Sequence, residues 1–139
     1  MNPSQPLTKP LARYVHTRRV GDLLFVAGQG CRNPADDQCV GLRRDASGQI
    51  VGHDIAEQTR GVFANINRVL EAEGLTRADL VDITVFLKSM ADFPAMNQVW
   101  NEYFAGLPTP TRTTVAVADL PGDNFVEMKA IAAFGPSRG

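Results

Sequence analysis

Apolar and polar positions change rhythm several times along this chain, and each change marks an element. From Tyr14 to Gly28 two short apolar-rich runs flank Gly21-Asp22, which predicts a β-hairpin. Between Gly30 and Gly52 the rhythm lapses; Pro34, Asp36, Asp37, Gly41, Asp45 and Gly48 predict a long loop of about twenty residues, a length more often functional than incidental. Asp54 followed by Glu57 reads as an acidic variant of the capping box. Ile55, Val62, Ile66, Val69 and Leu70 then recur near every 3.6 residues, so a helix runs from here until Gly74 stops it. After a turn at Thr76–Asp79, Ile83, Val85 and Leu87 alternate with Asp82, Thr84 and Phe86 as a half-buried strand. Asp92 and Pro94 open a second helix, whose stripe of Phe93, Met96, Val99, Trp100, Tyr103 and Phe104 reads as core and ends at Gly106. Arg112–Ala118 and Phe125–Phe134 form two closing strands around the turn Leu120-Pro121-Gly122-Asp123.

The order ββαβαββ implies an α+β domain whose two helices cover one face of a mixed sheet. On the last strand Val126, Met128, Ala130 and Ala132 share one face, and Glu127, Lys129, Ile131 and Ala133 the other. That second face is too apolar to meet water alone, which points to a homo-oligomer that buries its apolar part and keeps the charges for a site. One domain spans 1–139, with a proline-rich, flexible arm over Met1–Pro10.

Composition narrows the function classes. With 14 Lys+Arg against 15 Asp+Glu in 139 residues, the chain has no field to hold nucleic acid or a membrane surface. Two cysteines without CxxC spacing and no signal-like or membrane-spanning run predict a cytoplasmic protein. Nucleotide, zinc-protease and nucleophile-elbow motifs are missing; His16 and His53 have no clustered ligands, so no metal is expected. Cys31, after Gly28-Gln29-Gly30, reads as an inert thiol.

The informative pair is Arg112 and Glu127, on strands that a short turn should make neighbours. Arg112 lies among Thr111, Thr113 and Thr114 behind Pro108 and Pro110, where a guanidinium can grip a carboxylate through two parallel hydrogen bonds. The competing reading is a structural salt bridge between Arg112 and Glu127 themselves.

Pro110-Thr111-Arg112-Thr113-Thr114-Val115-Ala116-Val117 with Leu120-Pro121, followed by Val126-Glu127-Met128-Lys129-Ala130-Ile131-Ala132, resembles the closing signature of the Rid (YjgF) family of reactive-intermediate deaminases. The likeness extends through the opening hairpin and both helices. It implies a chorismate-mutase-like fold, a homotrimer with sites at the subunit clefts, and hydrolysis of enamines and imines to 2-oxo acids and ammonia without a cofactor. By the same resemblance Arg112 would hold the substrate carboxylate and Glu127 would direct or deprotonate water, kept ionised by Arg112. Gly28 and Gln29 would line the pocket with their backbone, and Tyr14 and Asn97 would come from the neighbouring subunit. Thr114 stands where many relatives carry Cys, so it joins the pocket without a thiol role.

Within the family, the long 30–52 segment, the Arg13-Tyr14-Val15-His16 opening, the Asp54–Arg60 run and Lys129 are most similar to the 2-aminomuconate deaminases, implying a small unsaturated amino-dicarboxylate substrate and 4-oxalocrotonate as product. A second carboxylate needs a second cation. Arg32 is the favoured candidate, ahead of His16 and Arg18, against the reading that Arg32 is a solvated loop charge. Three alternatives stay open. They are a general 2-imino acid deaminase, a ligand-binding or chaperone-like protein, and an RNA-cleaving one, against which net charge weighs.

Overall fold

A computed structural model describes residues 6–10 and 14–135. Nine strands and two helices follow in order: β1 (Thr17–Val20), β2 (Leu23–Gln29), β3 (Arg32–Asn33), β4 (Gln38–Cys39), β5 (Leu42–Arg44), β6 (Ile50–His53), α1 (Ile55–Ala72), β7 (Leu80–Leu87), α2 (Phe93–Tyr103), β8 (Thr111–Ala116) and β9 (Val126–Ala133). Five of the strands make one sheet in the order β1-β2-β9-β7-β8. All its pairings are antiparallel except β7 with β8, whose connection runs through α2 and returns the chain in the same direction.

The β1–β2 hairpin turns on Gly21 at φ +60, the conformation that the first central position of a II′ turn requires. Helix α1 starts where the Asp54 carboxylate accepts the Glu57 N–H at 3.1 Å. It ends in a Schellman motif: Gly74 sits at φ +75, its N–H donates to Glu71 O and that of Leu75 donates to Leu70 O. Asp92 precedes α2 but does not cap it. Its carboxylate instead accepts a 2.9 Å hydrogen bond from His53 Nε2, and the His53 ring stacks on Phe125.

Val62, Ile66 and Leu70 of α1 meet Ile83, Val85 and Leu87 of β7 and the Met128 row of β9 in the core, with Met96, Val99, Trp100 and Phe104 of α2 beside them. Burial on β9 alternates as the sequence predicts. The opposite face keeps Leu23, Phe25 and Val115 exposed next to half-buried Ile131 and Glu127. Among the described residues no helix is long and apolar enough to cross a membrane.

Two expectations need correction. The 30–52 stretch is not a structureless loop, for it folds into two small hairpins, β3–β4 and β5–β6. Side-chain turn chemistry builds them: Asp45 Oδ1 accepts from the N–H groups of Ser47 and Gln49, Asn33 Oδ1 from Ala35 and Asp36 Oδ1 from Gln38. Strands of two to four residues leave no periodicity to read. In the arm, Met1–Gln5 lie outside the described residues, but Pro6–Pro10 is docked: Leu7 packs on the core and the carbonyls of Thr8 and Lys9 accept hydrogen bonds from His16 and Arg32.

Candidate active site

A cavity of about 960 Å³ opens at the β2 end of the sheet, lined by Tyr14, His16, Gly28, Gln29, Arg32 and Glu127 among others. Glu127 projects from β9 on the face without helices and lies across Gly28. A Cβ at position 28 would come within 2.8 Å of Glu127 Oε2, so only glycine leaves the carboxylate its place. Burial pushes the Glu127 carboxyl above the ordinary carboxylate range, and among the described residues no cation offsets it.

The wall beside it is rigid. Gln29 is almost fully buried; its Nε2 donates to Ala27 O at 3.0 Å and to His16 Nδ1 at 3.2 Å, while His16 Nε2 faces Thr8 O. Both ring nitrogens are thereby engaged, and the network suits a neutral imidazole protonated on Nε2. Asn65 of α1 donates to the carbonyls of Gly30 and Arg32, each at 2.8 Å. Asn124 packs so closely on Gly30 that a Cβ there would overlap its amide. Gln58 of α1 ties Val40 O and Asp123 O together and accepts from Phe125 N–H.

Arg112, Asn97 and Thr114 lie elsewhere. Strand β8 pairs with β7, not with β9, and the register Ile83↔Arg112 and Val85↔Thr114 places these side chains on the helix-covered face. Glu127, opposite Phe86, points to the other face. The expected Arg112–Glu127 adjacency is therefore absent within one chain: β7 intervenes, about 10 Å separates the strands, and the two side chains leave opposite faces. Within one chain the salt bridge between them and the ionising influence of Arg112 on Glu127 are absent for the same reason. Arg112 instead donates from Nη1 to Asn97 Oδ1 at 2.8 Å, its Cζ 4.7 Å from the Trp100 ring centre and 5.4 Å from that of Phe93. Asn97 is thus a same-chain partner of Arg112 rather than a group that meets it from a neighbour. Thr114 Oγ1 is buried and has no hydrogen-bond partner among the described residues.

One chain accordingly holds the two groups apart as two half-sites of the expected cleft, a half-buried carboxylate beside a cavity at one end and a guanidinium braced by an amide and two rings at the other. Of the three candidates for a second carboxylate, Arg32 and His16 line the cavity and Arg18 does not. Arg32 is already held by Asp37 at 2.7 Å and by Lys9 O, so an incoming anion would have to share it. Gln58, Asn65 and Asn124 were missed in the sequence. For the first two a signal exists, because Gln58 and Asn65 fall within the apolar stripe of α1, where a polar residue needs a buried partner.

Residues 4–134 match the family described as Endoribonuclease L-PSP. A RutC family protein of Pyrococcus abyssi is 43% identical over 124 residues, covering 89% of this chain and 88% of its own length. The chain belongs to the Rid (YjgF) family. A 2-iminobutanoate/2-iminopropanoate deaminase of Dermatophagoides farinae is 32% identical over 92% of this chain and 91% of its own. Among solved Rid-type structures, the YjgF gene product of E. coli superposes with TM-score 0.79 at 30% identity, covering 94% of both chains. E. coli TdcF with bound serine reaches TM-score 0.81 at 28% identity, covering 95% of this chain and 96% of that one.

Proposed function

We propose that this Rid protein hydrolyses imines and enamines of 2-amino acids to 2-oxo acids and ammonia, without a cofactor, in a cleft where the Arg112 end of one copy meets the Glu127 cavity of another. The observation that carries this reading is the division of the site. Glu127 is a half-buried carboxylate with no cation, and Arg112 is a guanidinium braced by Asn97 and two rings with no carboxylate near it among the described residues. The exposed apolar residues around Phe25 and Val115 support association of copies, and closure as a trimer follows the family resemblance. The deaminase from Dermatophagoides supports the chemistry.

In this mechanism Arg112 pairs with the substrate carboxylate and so fixes the imine carbon. Ionised Glu127 takes a proton from water as the oxygen attacks that carbon. The proton passes to nitrogen in the resulting carbinolamine; Glu127 then takes the hydroxyl proton as C=O forms and the C–N bond breaks, and it passes that proton to the departing nitrogen, so ammonia leaves with the 2-oxo acid and Glu127 is ionised again. An enamine must first gain a proton at its carbon end, which the protonated Glu127 can supply.

Within this class we favour 2-aminomuconate, giving 4-oxalocrotonate or its enol. Arg32 stands in the cavity wall as the cation for a far carboxylate. The second reading, a general deaminase of small 2-imino acids, is favoured by the Dermatophagoides relative and by the occupation of Arg32 by Asp37. Ammonia release from 2-aminomuconate and from freshly generated 2-iminopropanoate, measured on one preparation, decides between them. A higher kcat/KM on the dicarboxylate that Arg32→Ala selectively lowers supports the first, and release from neither substrate overturns deamination. Light scattering after gel filtration tests the assembly; a stable, active monomer would end the shared-cleft proposal.

A further inference from the structure

Cys31 and Cys39 stand behind the cavity and have no task in the hydrolysis. Cys31 follows Gly30 at the end of β2 and is 1% exposed; Cys39 is half-buried on β4, opposite Arg32 in the ladder. The Val40 N–H donates to Cys31 O, so the two cysteines occupy diagonal positions across the hairpin. Ladder spacings put such positions about 6 Å apart between Cα atoms, inside the range that a disulfide spans. On a long flat ladder diagonal side chains would diverge. This ladder is two residues long, and both sulfurs turn toward one atom, Asn124 Oδ1, at 3.2 Å from Cys31 Sγ and 3.7 Å from Cys39 Sγ. Asn124 holds that atom in place by donating to Pro121 O and accepting from Cys31 N–H.

We propose that Cys31 and Cys39 form a redox-active dithiol that reduces small-molecule disulfides, with Cys39 the attacking sulfur and Cys31 the resolving one. The Cys39 thiolate attacks one sulfur of the disulfide; the S–S bond breaks and its other half leaves as a thiolate that takes up a proton. Cys31 then gives up its proton and attacks Cys39 Sγ, closing the protein disulfide as the second half leaves and is protonated. Two protein thiols are oxidised, one disulfide is reduced to two thiols, and nothing else is consumed.

The two sulfurs differ as this division requires. A hydrogen bond from the Cys31 thiol brings Cys39 down to about 7, against the opposing effect of burial; Asp123 lowers it through its backbone and raises it through its charge, and Arg32 adds a lowering charge. Cys31 is pushed far up, chiefly by its bond to Cys39 and then by burial. Once Cys39 is capped as a mixed disulfide its negative charge is gone, and the main obstacle to ionising Cys31 goes with it.

The test is reaction of the whole protein with glutathione disulfide, quenched by N-ethylmaleimide and read by intact mass and peptide mapping. Wild type should lose both alkylatable thiols, lighten by two hydrogens and give a Cys31–Cys39 link within a single chain. The rate should rise with pH and reach half its maximum near pH 7. Cys31→Ser should stop with one glutathione on Cys39, and Cys31→Ala should do the same if serine disturbs the Asn124 contact. Cys39→Ser should react about tenfold slower or worse. A stable glutathione adduct on wild type, a link between chains, or a Cys39→Ser protein that reacts at the wild-type rate would each overturn the proposal.

Discussion

The two half-sites are built on different principles. Around Glu127 the pocket is made of backbone and buried amides: Gly28 leaves room for the carboxylate, while Gln29, Asn65 and Asn124 lock the wall through hydrogen bonds that reach α1 and the turn before β9. Around Arg112 the support is one amide oxygen and two aromatic faces on α2, at an edge strand whose next residue on the same face, Thr114, has a hydroxyl without a hydrogen-bond partner among the described residues. The first half resists movement. The second holds a half-buried cation on the edge strand, with the buried Thr114 hydroxyl two residues along on the same face. A base must be placed to within fractions of an ångström, whereas an anion grip tolerates more freedom, so the asymmetry is the one that the proposed roles call for.

The largest effect should come from separating the halves between chains. Glu127→Gln should lower kcat by about 10²- to 10⁴-fold, the usual worth of a positioned base, and Arg112→Ala should chiefly raise KM, costing about 2–5 kcal/mol in kcat/KM. Each variant should keep its assembly. When the two are unfolded together and refolded as mixed oligomers, sites that draw Glu127 from one chain and Arg112 from the other are restored. For random mixing in a ring that amounts to about a quarter of wild-type activity. Absence of any recovery, with mixed oligomers shown by mass, would put both groups of a working site in one chain.

Gly28→Ala comes next. The added Cβ would meet Glu127 Oε2 at 2.8 Å, so the carboxylate must swing away. Displacements of that order cost up to about 10² in rate. Since the β2 backbone at Gly28 is not in a positive-φ conformation, stability should barely change. A full loss of folding would mean that Gly28 serves the sheet rather than the site.

How far the chain's own residues disclose this arrangement follows from what each signal measures. The Ile55–Leu70 stripe, the Asp54 cap, the Gly74 stop and the alternation on β7 and β9 are local patterns, and all five appear where periodicity and capping put them. Gly28 and Gln29 line the Glu127 cavity as expected because they end one hairpin, whereas Tyr14, expected from a neighbouring copy, lines it from the same chain just before that hairpin. Pairing of β8 with β7 is not local. The segment 117–125 reads as a short turn between neighbouring strands but passes over β7, and only the crossover through α2 tells that β8 returns parallel to β7 and leaves β9 on the far side. Thus Arg112 and Glu127, neighbours along the chain, part in space. The two hairpins of 30–52 escape for a further reason: their order comes from Asp45, Asn33 and Asp36 accepting backbone N–H groups, which composition renders only as loop residues.

A smaller effect should appear in the pH profile. Burial holds Glu127 above the ordinary carboxylate value of 4.5, and as pH falls through that raised pKa the base form is lost. The acid limb of kcat/KM should accordingly bend above pH 4.5. In the shared cleft an arriving guanidinium favours the charged carboxylate, so Arg112→Gln should move the limb to still higher pH. A limb that stays put in that variant would separate Arg112 from Glu127 in the assembly as well as in the chain.

The least effect is expected at a charge pair that both halves ignore. Arg60 of α1 and Glu102 of α2 approach to 3.5 Å across the outer helix surface, with more than half of each side chain in solvent. Exposed pairs of this kind gain little Coulomb energy and lose side-chain freedom, so the net contribution is below about 1 kcal/mol. The contact that matters between these helices lies beneath, where Phe63 stacks on Tyr103 at 3.9 Å and meets Phe104 edge-on. Arg60→Ala should therefore shift Tm by no more than about 2–4 °C and leave kcat/KM unchanged. Phe63→Ala should cost about 3–5 kcal/mol, because it empties the seam that holds α2, and with it Asn97 and the rings under Arg112. If Phe63→Ala lowers the affinity for substrate at temperatures where the fold persists, while Arg60→Ala does not, the Arg112 half depends on helix packing in a way that the hydrogen-bonded Glu127 half does not.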